Sequence, residues 1–384
     1  MIELGIVFTV ISPYLAIIPI LVIVYIVYSK NMLIYINPLN VGLLLMFVWS
    51  LFSGIINKSL FSAISSFAFV LFLGLCIYVQ NNFYDEDKAV KLIYKIWKYS
   101  LFCAMAGVIE KIASYYVDMT WISHFFYSGT YVPTVENYRI YSTFGNPNIA
   151  GGWFAAMVLV SLYLFEKGIY KKKYTFLLSI GIFIFSLIFT GSKGATIGLE
   201  FAIFTYAIFR KNKKSRIVLF TLFSFVLILA LISPEINHSL NSRGKIWEQS
   251  IEMFMQQPIS GHGIFGIFMN INKVHAHNIW ISIAAMLGIV GLSIYVWMKY
   301  YLFRSIIKLY QNNCELVPLL ASFQALIIGH GLVDFTIMAP QIGILFFAFT
   351  GITSSLVRKY ETYQAIEIRQ IATFGKKLNL KKFL

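Results

Sequence analysis

Residues 174–190 read YTFLLSIGIFIFSLIFT, seventeen positions without a charge. Lys171-Lys172-Lys173 precede them and Gly191-Ser192-Lys193-Gly194 follows. As a helix the run is about 25 Å long at 1.5 Å per residue. That approaches the roughly 30 Å of a bilayer's hydrocarbon core, where a helix satisfies every backbone group internally. The stretch reads as a transmembrane helix with one basic flank.

The same reading extends in both directions. Further apolar blocks lie near 4–28, 39–56, 59–79, 96–117, 148–166, 194–209, 216–233, 278–298, 316–339 and 341–357, which makes eleven in all. The chain is 59% apolar, its mean hydropathy is +0.75, and 12% of its residues are charged, about half the share in a soluble domain. The fold class is therefore all-α: a polytopic membrane helical bundle of about eleven transmembrane helices. Pro13 and Pro19 predict a kink in the first block, or a break into two half-helices. No basic leader precedes that block and no small-residue cleavage site follows it, so it reads as a retained span. Cys76, Cys103 and Cys314 have neither metal-ligand nor redox spacing and read as free thiols.

A net charge of +15 would suit a nucleic-acid partner, but the basic residues sit in short clusters between apolar blocks. That is the signature of the positive-inside rule, and a nucleic-acid partner is rejected. With the N-terminus outside, 24 of the 31 Lys and Arg residues fall on the inner side, Lys299 among them. Residues 1–357 are expected to form a single transmembrane domain with outer loops at 118–147 and 234–277. Residues 358–384 are expected to form a basic cytoplasmic tail lying on the anionic leaflet. There is no GxxxxGK[ST] loop, no dinucleotide-binding glycine pattern and no HExxH, which removes most support for ATP-driven transport and zinc proteolysis.

With that direction fixed, several polar residues fall on one outer face. Arg139 precedes Phe144-Gly145-Asn146-Pro147-Asn148, Lys193 sits in a Gly-Ser-Lys-Gly turn, and His277-Asn278 opens the ninth span. Each has a structural reading. Asn146 or Asn148 suits a helix cap, Lys193 can snorkel from a turn, Arg243 can be a solvated loop charge, and His277 can bond backbone. Their convergence argues for chemistry, because outer loops are otherwise poor in cations. A helix from Arg243 to Gln256 would place Trp247, Ile251, Phe254 and Met255 on one apolar face, with Arg243 beside the free N–H groups of its first turn. That pairing suits a diphosphate. An imidazole at His277 suits a general base, with Asn278 orienting it or holding a sugar hydroxyl. Asp334 lies in the tenth span, near its outer end, within reach of His277, and an intramembrane carboxylate is a functional candidate by default. A relay through His330 and Asp334 is the rival use. Gly288 and Gly291 would allow close helix packing. Glu200 is intramembrane without an assigned role, and Glu110 and Lys111 are expected to pair. The aromatic residues of 121–144 read as an interfacial belt, some placed to stack on sugars.

His277-Asn278, nine residues, Gly288, two residues, Gly291 resembles the H[NSQ]-x9-G-x-x-[GTY] signature of the O-antigen ligase and polymerase superfamily. Residues 144–148, the turn from Thr190 to Gly194, Arg243-x3-Trp247 with Pro258-x2-Gly261-x-Gly263, and Leu332-Val333-Asp334 are similar to further stretches of it in the same order. The resemblance covers about 140–340. Lys193 departs from it, since the superfamily usually has arginine there; lysine keeps the charge and loses bidentate geometry. The resemblance implies a GT-C-like glycosyltransferase on the outer face of the bacterial cytoplasmic membrane. The donor it implies is a glycan on polyprenyl diphosphate. The acceptor is a lipid-linked repeat unit in a polymerase, or lipid A core or another surface acceptor in a ligase. His277, Asn278 and Asp334 would be catalytic. Arg139, Lys193, Arg243, Asn146 and Asn148 would hold the diphosphate and substrate. No metal and no cofactor are expected, and a chain-length regulator is a partner the reading admits. A transporter or flippase of lipid-linked sugars is the alternative from another class; it should show internal repeats and broken midplane helices, and the sequence displays neither.

Overall fold

The computed structural model describes residues 2–119, 121, 138–168, 173–210, 213, 216–217, 220, 234–271 and 275–368, with the side chains of 234–242 left aside. The helices are α1 (Ile2–Ile11), α2 (Ile17–Ser29), α3 (Pro38–Ile56), α4 (Leu60–Ser65), α5 (Phe67–Asn82), α6 (Glu86–Ala113) and α7 (Pro147–Lys167). They continue with α8 (Lys173–Thr190), α9 (Lys193–Phe209), α10 (Pro234–Gln256), α11 (Gly266–Asn270), α12 (Ile279–Gln311), α13 (Val317–Gly331) and α14 (Pro340–Val357). Six of the described helical segments are long and apolar enough to cross a membrane, and α1, α2, α8 and α13 are shorter apolar helices. The protein is an all-α polytopic membrane protein. The block expected at 216–233 lies almost wholly outside the described residues.

The helix starts follow from local chemistry. Asn37, Asp85, Asn146 and Asn278 cap α3, α6, α7 and α12, each accepting a backbone N–H from the first turn with its side chain. Pro38, Pro147 and Pro340 occupy the first helical position, where no N–H is needed. The first apolar block is broken at Pro13 into α1 and α2, one of the two outcomes its prolines predicted. All three cysteines are free and buried.

Two expectations about the ninth span need correction. Gly288 does not serve simple helix packing. Its backbone, φ 66° and ψ −169°, interrupts α12 in a region that glycine alone adopts readily. The turn at 258–263 fills the gap: Ile289 N donates to Pro258 O at 2.8 Å, His262 N to Ala285 O at 3.0 Å and Gly263 N to Met286 O at 2.8 Å. Trp49 Nε1 donates to Leu287 O at 2.8 Å. The carbonyls of residues 285–287, released by the break, thus all find donors, as a membrane interior demands. Lys299 is not in an inner loop. The helix runs on to Gln311, and the ammonium lies inside the bundle, 3.0 Å from Gln324 Oε1 and 4.6 Å from the centre of the Phe346 ring.

The tenth span is shorter than its apolar block, because α13 ends at Gly331 and residues 332–339 turn before Pro340. At the opposite end, β1 (Leu33–Tyr35) pairs antiparallel with β2 (Ala365–Glu367), in register Leu33 to Glu367. The first part of the tail therefore folds back on the loop after α2, which places the two segments at one end of the bundle.

Candidate functional site

The turn Leu332-Val333-Asp334, at the end of α13, is held by three side chains from two other elements. Asn278 Nδ2 donates to Leu332 O at 2.9 Å. The Arg243 guanidinium donates to Val333 O. His277 Nδ1 lies 3.2 Å from Asp334 Oδ1. Three residues thus converge on three consecutive ones that lie 54 to 90 positions further along the chain.

His277 and Asn278 owe their placement to the start of α12. Asn278 Oδ1 accepts from Trp280 N at 2.9 Å and Ile281 N at 3.1 Å, so one side chain both caps the helix and ties it to the turn. That use leaves the orientation of the His277 ring to Asp334. His277 has φ 50°, a left-handed conformation costing a non-glycine residue on the order of 1 kcal/mol or more. Such strain persists where the surroundings fix it, and here the cap on one side and Asp334 on the other do so.

Asp334 is buried in the turn, beyond the helix end. Burial pushes its carboxyl up, but the hydrogen bond with His277, the fields of His330 and His277 and the N–H of Phe335 outweigh it and hold it at about 2. Phe335 N donates to the same Oδ1 at 2.8 Å. An ionised carboxylate only accepts, so His277 Nδ1 must carry the hydrogen and Nε2 the lone pair. The His277 side chain keeps 29% of its surface exposed, against 10% for Asp334. A buried carboxylate and a partly exposed imidazole oriented by it make a competent general base.

A second group lies at the starts of α7 and α9. Arg139 Nε donates to Thr190 O at 2.6 Å and its Nη2 to Asn148 Oδ1 at 2.7 Å. Asn146 Oδ1 accepts from Asn148 N at 2.8 Å, so Asn146 is the cap and Asn148 the partner of Arg139. Gly191, at φ 58°, lets the chain turn beneath Arg139; a side chain there would meet Nε at 3.2 Å. Ser192 caps α9 and Lys193 is its first residue. The two groups touch: a side chain at Gly194 would meet Val333 Cγ2 at 3.0 Å.

Two expectations fail here for stated reasons. Glu110 and Lys111 do not pair with each other. Glu110 accepts from Tyr138 Oη at 2.6 Å, Tyr141 N at 2.9 Å and Ser142 N at 2.6 Å, while Lys111 Nζ donates to Tyr138 O at 3.0 Å. Together they clasp the segment that carries Arg139. Sequence reading missed this, although two opposite charges buried at one helix end were a signal. Arg243 does not stand at a helix start either. Helix α10 begins nine positions earlier, at Pro234, so the free first-turn N–H groups are not beside it.

Of the other candidates, His262 Nε2 bonds Met253 O at 2.8 Å, and His275 lies tilted against Phe268, near enough to His277 and Asp334 to feel their charges. Glu200 is buried in α9, its Oε1 without a partner among the described residues. His330 is buried, and Asp334 N donates to its carbonyl rather than joining it in a side-chain relay. Among the described residues no group of three or more metal-ligating side chains occurs.

The fold and this arrangement define a multi-pass membrane protein with a polar site at one end of its helices. Residues 177–296 match the family model described as O-antigen ligase. The matched stretch holds Lys193, Arg243, His277, Asn278 and Gly288, and it bears out the resemblance to the O-antigen ligase and polymerase superfamily, whose members are glycosyltransferase-like enzymes of polysaccharide biosynthesis. No curated protein matches the chain.

Proposed function

We propose that the protein is a polymerase-type glycosyltransferase, moving a glycan from polyprenyl diphosphate to a lipid-linked acceptor repeat unit on the outer face of the cytoplasmic membrane. The His277–Asp334 pair, on a turn that packs against the start of α9, carries this reading. The acceptor hydroxyl oxygen attacks the anomeric carbon as its proton passes to His277 Nε2. The bond from that carbon to the diphosphate oxygen breaks in the same step, and the electron pair leaves with the diphosphate. One displacement inverts the anomeric centre. Arg139, Lys193 and Arg243 stabilise the growing charge. Arg243 spends one guanidinium donor on Val333 O and has others to offer. Asn146 and Asn148 act by holding the start of α7 and Arg139 in place, and Asn278 acts by fixing the turn. Protein groups alone supply the base and the electrostatics, so the reading requires no metal. With Lys299 set aside, 23 basic residues remain assigned to the inner side, and they support a single domain over 1–357 with its site outside and the tail from 358 inside.

Ligase-type transfer to lipid A core or another surface acceptor uses the same geometry, and the family match favours neither reading. The test is His277→Ala in the native host, with surface glycans resolved on a gel. Glycans halted at one repeat unit support the polymerase. Long chains left on the lipid carrier support the ligase. An unchanged ladder with the protein still present would falsify the role of His277, and repeat units trapped on the inner leaflet would point to a flippase.

A further inference from the structure

His330 lies one turn before Asp334 and is 1% exposed. Two glycines make room for its ring. A side chain at Gly152 of α7 would meet Nδ1 and Cε1 at 3.0 Å, and one at Gly194 would meet Cδ2 at 2.8 Å and Nε2 at 3.2 Å. A third, Gly198, packs its helix against the His330 backbone, where an added Cβ would stand 2.9 Å from His330 N. Helices α9 and α13 therefore meet almost backbone to backbone around a polar ring. An apolar side chain would fill this space without penalty. The imidazole instead leaves Nε2 buried and without a hydrogen-bond partner among the described residues, a costly arrangement unless a partner arrives.

The position of that nitrogen indicates the partner. Gly194 is the second residue of α9, a seventeen-residue helix. Ser192 Oγ accepts from Ala195 N and Ser192 O accepts from Thr196 N. These bonds serve the third and fourth helical positions, and a helix start of this kind favours an anion. Lys193 opens the same turn, and Arg139 crosses it to reach Thr190 O. We infer that His330 is a further substrate-contacting residue, donating Nε2–H to a phosphoryl oxygen of a prenyl diphosphate seated on the first turn of α9. The inference rests on the diphosphate-donor reading of the site. It adds that the anion is gripped from beneath, on the side of Asp334, as well as from the exposed side. The imidazole donates a hydrogen bond and undergoes no net proton transfer in this role.

The test uses the full chain in lipid nanodiscs and two readouts: equilibrium binding of farnesyl diphosphate, and glycan transfer with the donor and acceptor varied separately. His330→Gln keeps an N–H near the place of Nε2, whereas His330→Asn is too short to reach it. His330→Phe keeps a ring without a donor. The expected result is that Phe and Asn weaken farnesyl diphosphate binding about tenfold, the scale of one hydrogen bond to a charged group, and raise the donor KM while the acceptor KM holds. Gln is expected to restore most of the affinity. Unchanged binding in Asn, or equal losses in Asn and Gln, overturns the inference, and this pair remains informative if the Phe variant does not fold. His277→Ala serves as the control: it should bind farnesyl diphosphate normally and transfer nothing. If the wild type transfers glycan but binds no prenyl diphosphate, the donor reading itself falls and takes the inference with it; if the wild type binds and the Asn variant binds equally, only the role of His330 falls.

Discussion

The two ends of the bundle use polar residues differently. At the tail end, charges meet opposite charges. Arg210 lies 3.1 Å from Glu166, whose other oxygen accepts from Tyr206 at 2.5 Å, and Lys167 lies 2.7 Å from Glu315. Amides there close on one another, Asn40 and Gln80 exchanging bonds at 2.8 and 3.1 Å. At the site end, Arg139 donates to a carbonyl and an amide oxygen, and Arg243 to a carbonyl. His277 and His330 each have a ring nitrogen with no partner among the described residues. Groups that satisfy one another hold helices together. A buried ring nitrogen without a partner, as in His330, is disposed to take something from outside. The difference lies in the partner: carboxylates face Arg210 and Lys167, a backbone carbonyl faces Arg243, and buried nitrogens without a partner occur at both ends, Arg210 Nε and Arg358 Nε among them.

The comparison can be broken at several points. The largest expected effect after loss of His277 is that of Asp334→Asn. An amide in place of the carboxylate lets the imidazole settle with its hydrogen on the wrong nitrogen, and transfer should fall at least about a hundredfold with the protein still folded. Turnover normalised to the amount of folded protein reads this, and near wild-type turnover would remove Asp334 from the mechanism. Gly288→Ala should come next, as a loss of stability. Its Cβ would stand 2.0 Å from Ile259 O at a φ of 66°, and a cost of about 3 kcal/mol or more is expected from clash and strain together. Thermal unfolding in detergent would show a lower midpoint, and an unchanged midpoint would mean that the break in α12 is not fixed by this glycine.

Acid provides a subtler probe. The Asp334 carboxyl is held at about 2 in the fold, below its ordinary value of 3.8. A depressed carboxylate contributes stability that is present above the ordinary value and lost as pH falls through about 4 towards 2. About 2 kcal/mol should disappear over that window at 1.36 kcal/mol per pH unit. The same shift keeps Asp334 ionised from pH 5 to 9, so it contributes no acid limb to activity there. Unfolding followed between pH 5 and 2 should show the loss in the wild type and a shallower slope in Asp334→Asn. The smallest effect belongs to the tail end. Glu166→Gln should cost roughly 1 kcal/mol and change transfer less than twofold, because that pair only joins helices. A large loss of activity would erase the distinction between the ends.

Much of this was legible in the sequence because the signals are local. Uncharged runs such as 174–190 set the spans, and Asn146 and Asn278 announced helix starts by the residues that follow them. The approach of Asp334 to His277 followed from direction alone, once the charges had fixed which way each span runs. What was not legible depends on neighbours. A glycine in an apolar run reads as a packing position, and nothing local shows that Gly288 has a positive φ around an inserted turn. Glu110 and Lys111 look like each other's partners until the 138–142 segment arrives between them. Arg243 seemed to begin a helix because the apolar periodicity starts there, although the backbone begins at Pro234. Lys299 was assigned to a loop because a charge ordinarily ends a span, and the amide and ring that shelter it lie 25 and 47 residues further along.

The small sheet at the tail end bears on how the protein is made. Asn31 and Glu367, which flank and close that sheet, bond to each other across 336 residues of chain. Strand β1 leaves the ribosome early and its partner only after the last helix. Until then the loop after α2 presents an unmatched edge, which the strand that emerges after α14 closes. Insertion of the last span and the joining of the molecule's early and late segments are in that sense one event, which makes the register of β2 a marker of a chain that has finished assembling.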